Sequence, residues 1–229
     1  MRNAIVGSVL AVFLATPPAA SAAGGGGGSE GGSMSAPRAM TPEEEAKAAY
    51  SQGVRAVKQA DKLDQTARAA TDAKKKAKAQ ERARKQYSKA RGYFAAAIQR
   101  KPAMHEAWNY VGYTSRKLGE YADALSAYEE ALRLNPSYGE AIEYRGEAYL
   151  GLNRIEDAKS AYMTLFKDSR ALAGQLMAAM QQWVSDRRTD AAGVSSADLD
   201  AFAQWIDERA NVARQTASLA IDGPQVRWN

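Results

Sequence analysis

The side chains that could perform catalysis are scarce in this sequence. It has no cysteine and a single histidine, His105, so a thiol nucleophile, a thiolate metal site and a histidine metal cluster are excluded. Adjacent carboxylates such as Glu129 and Glu130 point to different faces of a helix. No glycine-rich loop follows a strand to hold a phosphate. We therefore predict a protein that is not an enzyme and that has no catalytic, cofactor-binding or metal-binding residues.

Three acidic residues could form a recognition surface. Glu140, Glu143 and Glu147 are spaced three and four positions apart, which places them on one face of a helix. An acidic stripe beside an aromatic residue favours a basic or amine-bearing peptide. The alternative is an ordinary solvated helix face, and the sequence leaves both open.

A strongly basic segment could attract anionic polymers. From Arg55 to Lys101 there are 15 Lys and Arg against four Asp and Glu, a net charge of +11, whereas the whole chain carries +5. Lipid headgroups, envelope polysaccharide and nucleic acid fit such a field, but the insert lacks aromatic residues to stack on bases, so no specific nucleic-acid ligand is expected. A charged but inert hairpin, or an alanine-rich face that pairs with a second copy or a partner, are the alternatives. The basic residues singled out are Lys74, Lys75, Lys76, Lys78, Arg82, Arg84 and Lys85.

The elements that position these side chains recur every 34 residues. Ala90, Ala124 and Ala158 fall in register, and an aromatic residue follows each of them four positions later. Small residues such as Gly112 and Ala124 allow two helices to approach closely, and large rings fill the hollows beside them. Each helix pair needs the next pair to cover its apolar surface, so the pairs stack. The positions predicted to pack the repeats are Trp108, Gly112, Ala124, Tyr128, Ala131, Pro136, Gly146, Ala158 and Tyr162.

This pattern resembles the tetratricopeptide repeat family at residues 105–138 and 139–172. The second repeat departs from the family pattern at Arg145, Leu165 and Arg170, where leucine, alanine and proline are typical. The resemblance implies an all-α fold of antiparallel helix pairs stacked as a short right-handed solenoid. In the family, the first helix of each pair lines a concave face that binds peptides or partner proteins. The residues that the resemblance places on this groove are Glu106, Asn109, Tyr113, Arg116, Glu140, Glu143 and Glu147.

A further repeat is split by an insertion. Residues 46–57 match a first helix and residues 86–102 match its partner, with about 25 residues inserted between them. Because the insert is rich in Ala, Lys, Arg and Gln, all good helix formers, we predict that residues 41–104 form a split unit whose two helices are each lengthened by about 12 residues. The result would be a basic hairpin that projects from the solenoid, with its tip at Asp64 or Thr71.

The two ends of the chain differ from the repeats. Residues 1–22 have the positive start, the apolar run and the small-residue cleavage site of a secretory signal peptide, which predicts an exported bacterial protein, periplasmic or secreted. Residues 23–40 form a Gly/Ser-rich linker. A capping box at Thr41 should begin the fold. We assign 173–219 to C-terminal capping helices and 220–229 to a flexible tail.

Together these features predict a non-catalytic scaffold that binds a peptide or partner protein on its concave face. The alternative function is binding of an anionic polymer or membrane surface through the basic hairpin. The sequence does not identify the partner, and a second copy of the chain is one candidate.

Overall fold

A computed structural model describes residues 38–222, with side chains to residue 216. The predicted signal peptide, the predicted linker up to residue 37 and the predicted tail beyond Asp222 lie outside the described residues. The all-α fold of packed helix pairs is confirmed, since the described residues form eight helices. These are α1 (Pro42–Ala69), α2 (Ala73–Arg100), α3 (His105–Leu118), α4 (Tyr121–Leu134), α5 (Gly139–Gly151), α6 (Ile155–Asp168), α7 (Arg170–Thr189) and α8 (Ser196–Asp222).

Local signals set the ends of several helices. The hydroxyl of Thr41 accepts from the backbone N–H of Glu44 at 3.2 Å, and the Glu44 carboxylate accepts from the N–H of Thr41 at 2.7 Å. This is the predicted capping box, which satisfies two N–H groups that the helix itself leaves unpaired. Gly119 ends α3 with a φ of 86°, and Asn153, 34 residues later, takes a φ of 58° at the matching turn. The left-handed turn of the repeat is thus kept by two residues that tolerate it.

Each helix packs against its neighbour in the chain, and α3 also packs against α5 and α5 against α7. The first helices of successive pairs are therefore adjacent. Within residues 38–222, no helix combines the length and the apolar character that crossing a bilayer requires.

The close approach predicted within the α3–α4 pair is present. Ala124, Tyr128 and Ala131 are completely buried, and a Cβ atom added to Gly112 would lie 2.6 Å from Cδ1 of Tyr128. Trp108 is half-buried against the same cluster and donates its indole N–H to the carbonyl oxygen of Pro102 at 2.9 Å. The ring of Tyr128 thus occupies the space that the missing side chain of Gly112 leaves.

The α5–α6 pair uses its small residue differently. A Cβ atom on Gly146 would meet Leu176 of α7 at 2.7 Å, rather than Tyr162. Tyr162 is buried, with its ring 5.5 Å from that of Trp205 on α8. Ala158 is buried in the same cluster, while Pro136 is exposed just after α4 ends. In this repeat the close contact therefore joins α5 to the following helix α7.

Helices α1 and α2 form the long hairpin. Each has 28 residues, about 42 Å at 1.5 Å per residue, against 14 residues, or about 21 Å, for α3. Thr71 lies in the connection between the two helices, whereas Asp64 lies inside α1. Leu118 at the end of α3 packs against this hairpin, and the chain beyond that level projects from the repeats.

Many alanines of the hairpin are buried. Eight of them are buried, whereas Ala69, Ala73 and Ala77 near the outer end are exposed, and pairing of this face with a second copy of the chain stays a prediction. Small side chains at these positions let two helices run close together over a long distance. The buried alanines are Ala46, Ala56, Ala60 and Ala67 on α1 and Ala79, Ala83, Ala90 and Ala97 on α2.

Candidate functional site

Four alternate helices, α1, α3, α5 and α7, line one groove. It encloses a cavity of about 860 Å³ with a predominantly polar wall. Because α3 packs on α5 and α5 on α7, the inner faces of successive pairs form a continuous surface here. The lining residues are Asp64, Arg68, Arg116, Lys117, Tyr121, Glu147, Leu150, Gly151, Ala179, Gln182, Trp183, Asp186 and Arg187.

An ion pair between Arg116 on α3 and Glu147 on α5 lies at the centre of the groove. The Arg116 side chain is only 12% exposed and that of Glu147 is 26% exposed. The guanidinium also lies 5.4 Å from the ring centres of both Tyr113 and Tyr144. Arg116 is thus held by a carboxylate and two aromatic faces, so it ties two helix pairs together.

Glu143 lies one turn before Glu147 on α5 and is almost fully buried, at 3% exposure. Burial, reinforced by the negative charge of Glu147, raises the pKa of Glu143 to about 8. At neutral pH Glu143 is therefore a neutral acid, and its buried Oε2 atom has no hydrogen-bond partner in the part of the chain that the structure describes. The stripe expected at the surface is thus divided, because Glu140 alone of the three is exposed.

Asp64 on the hairpin completes the charge pairing at this end. Its carboxylate accepts from Lys117 at 2.6 Å and from Arg68 at 3.1 Å. Burial opposes ionisation of Asp64, but the two cations outweigh it and lower the pKa of Asp64. Most charges in this part of the groove are therefore satisfied by one another.

Asp61, one turn earlier on α1, joins three helices. Its Oδ1 atom accepts from the hydroxyls of Tyr87 on α2 and Tyr113 on α3, each at 2.7 Å. Burial, together with these hydrogen bonds, raises the pKa of both tyrosines. This network fixes the wall of the groove between the hairpin and the first complete repeat.

The opposite end of the inner face is rich in partly exposed tyrosines. Ring centres lie 5.7 Å apart for Tyr50 and Tyr110. Two acids lie beside them. Burial raises the pKa of Tyr50 and Tyr110, and the negative charges of Glu106 and Glu140 respectively add to this effect. The tyrosine end of the groove is defined by the residues Tyr50, Glu106, Tyr110, Tyr138 and Glu140.

The predicted groove residues thus fall into three environments. Tyr113, Arg116, Glu143 and Glu147 meet in the centre, Glu106 and Glu140 lie at the tyrosine end, and Asn109 is buried at 2% exposure. His105, at the start of α3, is half-buried. Its ring packs edge-on to Tyr138 at 4.7 Å, and its Nε2 lies 3.2 Å from the side-chain amide nitrogen of Asn135.

Several groove residues were not predicted. Continuing the 34-residue period past α6 would have identified α7 as the next inner helix and so pointed to its groove-lining residues. The groove-lining residues of α1 depend on how the hairpin is aligned with α3, and no local sequence pattern predicts that alignment. The unpredicted charged and aromatic residues are Asp61, Asp64, Arg68, Lys117, Trp183, Asp186 and Arg187.

The basic residues of the hairpin lie away from this centre. Arg84 donates to the carbonyl oxygen of Leu118 at 3.2 Å, and Lys85 pairs with Glu81 at 2.7 Å. The other five are exposed and form no ion pair within residues 38–216; they are Lys74, Lys75, Lys76, Lys78 and Arg82. Among the described residues, no cluster of three or more His, Asp or Glu side chains could hold a metal ion.

Comparison with known proteins agrees with this architecture. Residues 105–138, which contain α3 and α4, match the family model of the tetratricopeptide repeat. A comparison with curated proteins gave no significant match. One helix pair of this all-helical fold is thus similar to a tetratricopeptide repeat.

Proposed function

We propose that the protein is a non-catalytic scaffold that binds a partner protein or peptide in the groove lined by α1, α3, α5 and α7. Tetratricopeptide repeats generally serve protein–protein interaction, and α3 and α4 carry such a repeat. The observation that supports the groove is its construction, because four alternate helices contribute to one cavity of about 860 Å³. A cleft of this size is within the usual range for binding sites.

The partner should present a basic or amine-bearing segment to the tyrosine end. Tyr50 and Tyr110 expose ring surface there, and Glu106 and Glu140 supply negative charge. Aromatic faces and carboxylates together favour a Lys or Arg side chain through cation–π and ionic contacts. The centre contributes less charge selectivity, since Arg116 and Glu147 neutralise one another.

A pull-down with mass spectrometry tests the groove. The bait carries Glu106→Lys and Glu140→Lys, and the matched control carries Glu129→Lys on the exposed side of α4. Partners bound through the tyrosine end should be lost with the double variant and kept with the control. Identical partner lists for the native chain and both variants would contradict the proposal. Glu143 is unsuitable for this purpose because its burial would make a charged substitution unfold the groove.

Direct binding then tests the chemistry. An array of extended peptides with matched length and opposite net charge should show preference for the basic members. The preference should weaken with added salt because the carboxylates are exposed. An acidic preference would reject a basic ligand while leaving the groove itself in place.

The location of the protein is part of the proposal. The first 22 residues have the composition of a cleaved export signal, which supports a bacterial protein in the periplasm or outside the cell. N-terminal sequencing of the protein from fractionated cells checks this. A chain that retains its first residues in the cytosolic fraction would contradict it.

The basic hairpin supports a second candidate function, binding to an anionic surface. Lys74, Lys75, Lys76 and Lys78 are all exposed, and none forms an ion pair with another described residue. Co-sedimentation should occur with vesicles that contain phosphatidylglycerol and not with vesicles of phosphatidylcholine alone. Changing these four lysines to glutamine should abolish it. Unchanged sedimentation of that variant would reject this function.

A further inference from the structure

A second cavity lies on the other side of α7, between α6, α7 and α8. Its volume is about 570 Å³, and its wall is mainly apolar, unlike that of the groove. Helix α7 presents one continuous face to it, because its lining positions recur at spacings of three and four residues. From Arg170 to Gln181 this face is about 17 Å long at 1.5 Å per residue. The cavity is therefore an elongated apolar cleft.

The cleft exists because large side chains hold α7 and α8 apart at one end and small side chains follow. Near the connection between the helices, Trp183 and Phe202 pack with ring centres 5.8 Å apart. Further along, Ala173, Gly174 and Ala178 on α7 leave room. A Cβ atom added to Gly174 would meet no other atom within 4 Å. The space beside α7 is thus open rather than filled by neighbouring side chains.

Positive charge lies beside the apolar wall. Arg170 stacks on Phe166, with its guanidinium carbon 3.4 Å from the ring centre, and donates to the hydroxyl of Thr216 at 3.4 Å. Arg214, also in the wall, donates to the side chain of Asn211. Neither arginine forms an ion pair with a carboxylate within residues 38–216. Two guanidinium groups are therefore available to an anion that enters from solvent.

The pKa of Tyr162 reflects the positive charge near the cleft. Burial raises the pKa of the Tyr162 hydroxyl, and the positive charges of Arg170 and Arg209 oppose that rise. Tyr162 is itself part of the cleft wall. Arg170 and Arg209 are thus close enough to Tyr162 to favour the ionised form of its hydroxyl.

We propose that this cleft binds a fatty acid of about 12 carbons, with its acyl chain along the apolar face of α7 and its carboxylate held by Arg170 and Arg214. The volume is within the usual range for small-molecule sites, and an extended chain fits an elongated cleft. Arginine binds carboxylates with paired, charge-assisted hydrogen bonds. A peptide fits less well, because its backbone N–H and C=O groups would find few partners on this wall. The site is separate from the groove and does not depend on the function proposed for it.

Titration calorimetry with the full chain tests the ligand class. The probes are dodecanoate and dodecyltrimethylammonium, which share a chain length and differ in charge, each kept below its micelle concentration. One dodecanoate should bind per chain, at least about tenfold more tightly than the cation, because only the anion can pair with the arginines. Equal affinities, or many ligands per chain, would overturn the proposal. So would the absence of dodecanoate binding.

Variants locate the site. Gly174→Leu should fill the cleft and reduce dodecanoate affinity by at least about tenfold, and it should not unfold the protein, since leucine favours a helix over glycine. The matched control is Gly92→Leu, at an exposed glycine of α2 where an added Cβ atom would also meet no other atom within 4 Å. Arg170→Gln with Arg214→Gln should remove the preference for the anion and keep the thermal melting cooperative. If Gly174→Leu and Gly92→Leu both bind dodecanoate as the native chain does, the cleft is not the site.

Discussion

The guanidinium of Arg116 on α3 forms an ion pair with the carboxylate of Glu147 on α5, between two adjacent inner helices. The two side chains come from successive helix pairs, and both are largely buried at the centre of the groove. Removing one partner of such a buried ion pair strongly lowers the free energy of unfolding, because the other charge then stays buried without a counter-ion. The pair therefore joins the stacked units at the surface proposed to bind the partner.

Removing Arg116 should destabilise the protein strongly. We expect Arg116→Met to lower the free energy of unfolding by about 3 kcal/mol, since Glu147 loses its cation beside the carboxyl of Glu143. Urea denaturation followed by circular dichroism measures this. The control is Arg133→Met, whose partner Glu130 lies on the exposed side of α4, where little loss is expected because solvent screens the pair. Equal losses for both variants would show that Arg116 acts as a surface residue.

Glu143 should make stability fall as the pH rises. Its pKa in the folded protein is raised to about 8 from an ordinary value near 4.5. Between those two pH values the folded state holds a proton that the unfolded state releases, so stability is full below pH 4.5 and declines until the pH passes about 8. Each pH unit within that window should cost up to about 1.4 kcal/mol.

The variant Glu143→Gln isolates this effect. Glutamine keeps the shape and cannot ionise, so the variant should be more stable than the native chain at pH 9 and should lose the steep decline. Urea denaturation at several pH values, with Glu140→Gln at the exposed position as control, separates the contribution of the buried acid. Parallel pH profiles for the native chain and Glu143→Gln would contradict the assignment.

Gly112 and Gly92 should respond to alanine in opposite directions. At Gly112 a Cβ atom would lie 2.6 Å from Cδ1 of the buried Tyr128 ring, so the ring must shift. We expect Gly112→Ala to cost about 2 kcal/mol, as overpacked cores do. At Gly92 the added atom meets open space, so alanine should gain about 0.5–1 kcal/mol through helix propensity. Thermal melting compares the two, and a stabilising Gly112→Ala would refute the close approach of α3 and α4.

Asp61 should be required for the attachment of the hairpin to α3. Replacing it with alanine leaves the hydroxyls of Tyr87 and Tyr113 without their acceptor, at about 1–3 kcal/mol for each buried group. Hydrogen exchange of amides in α1 and α2 should rise in Asp61→Ala. The same change at the exposed Asp207 of α8 is the control. If exchange in the hairpin is unchanged, the network does not hold it.

The repeat could be predicted because its determinants are local and periodic. The pairing of Gly112 with Tyr128 needs only one small and one large residue at fixed positions, and the structure has that contact. The same reasoning did not give the contact of Gly146 with Leu176, because it depends on where α7 lies. A 34-residue period predicts which helices are adjacent. It does not predict which side chain of a neighbouring helix fills the space beside each small residue.

The state of the acidic residues could not be predicted from their spacing. Positions three and four apart establish that Glu140, Glu143 and Glu147 share a helix face. They do not establish how deeply that face is covered by α3, and it is this depth that makes Glu143 a neutral acid and leaves Glu140 in solvent. The cleft beside Gly174 escaped prediction for a similar reason, because it arises from the separation of α7 and α8.

Helix α1 is unbroken from Pro42 to Ala69, and it reaches past the end of α3 while Asp64 and Arg68 still line the groove. The wall of the groove and the outer part of α1 thus belong to one continuous helix. The exposed lysines Lys74, Lys75, Lys76 and Lys78 lie on α2, which packs along α1. A ligand that binds these lysines and displaces the hairpin should therefore also displace the wall of the groove.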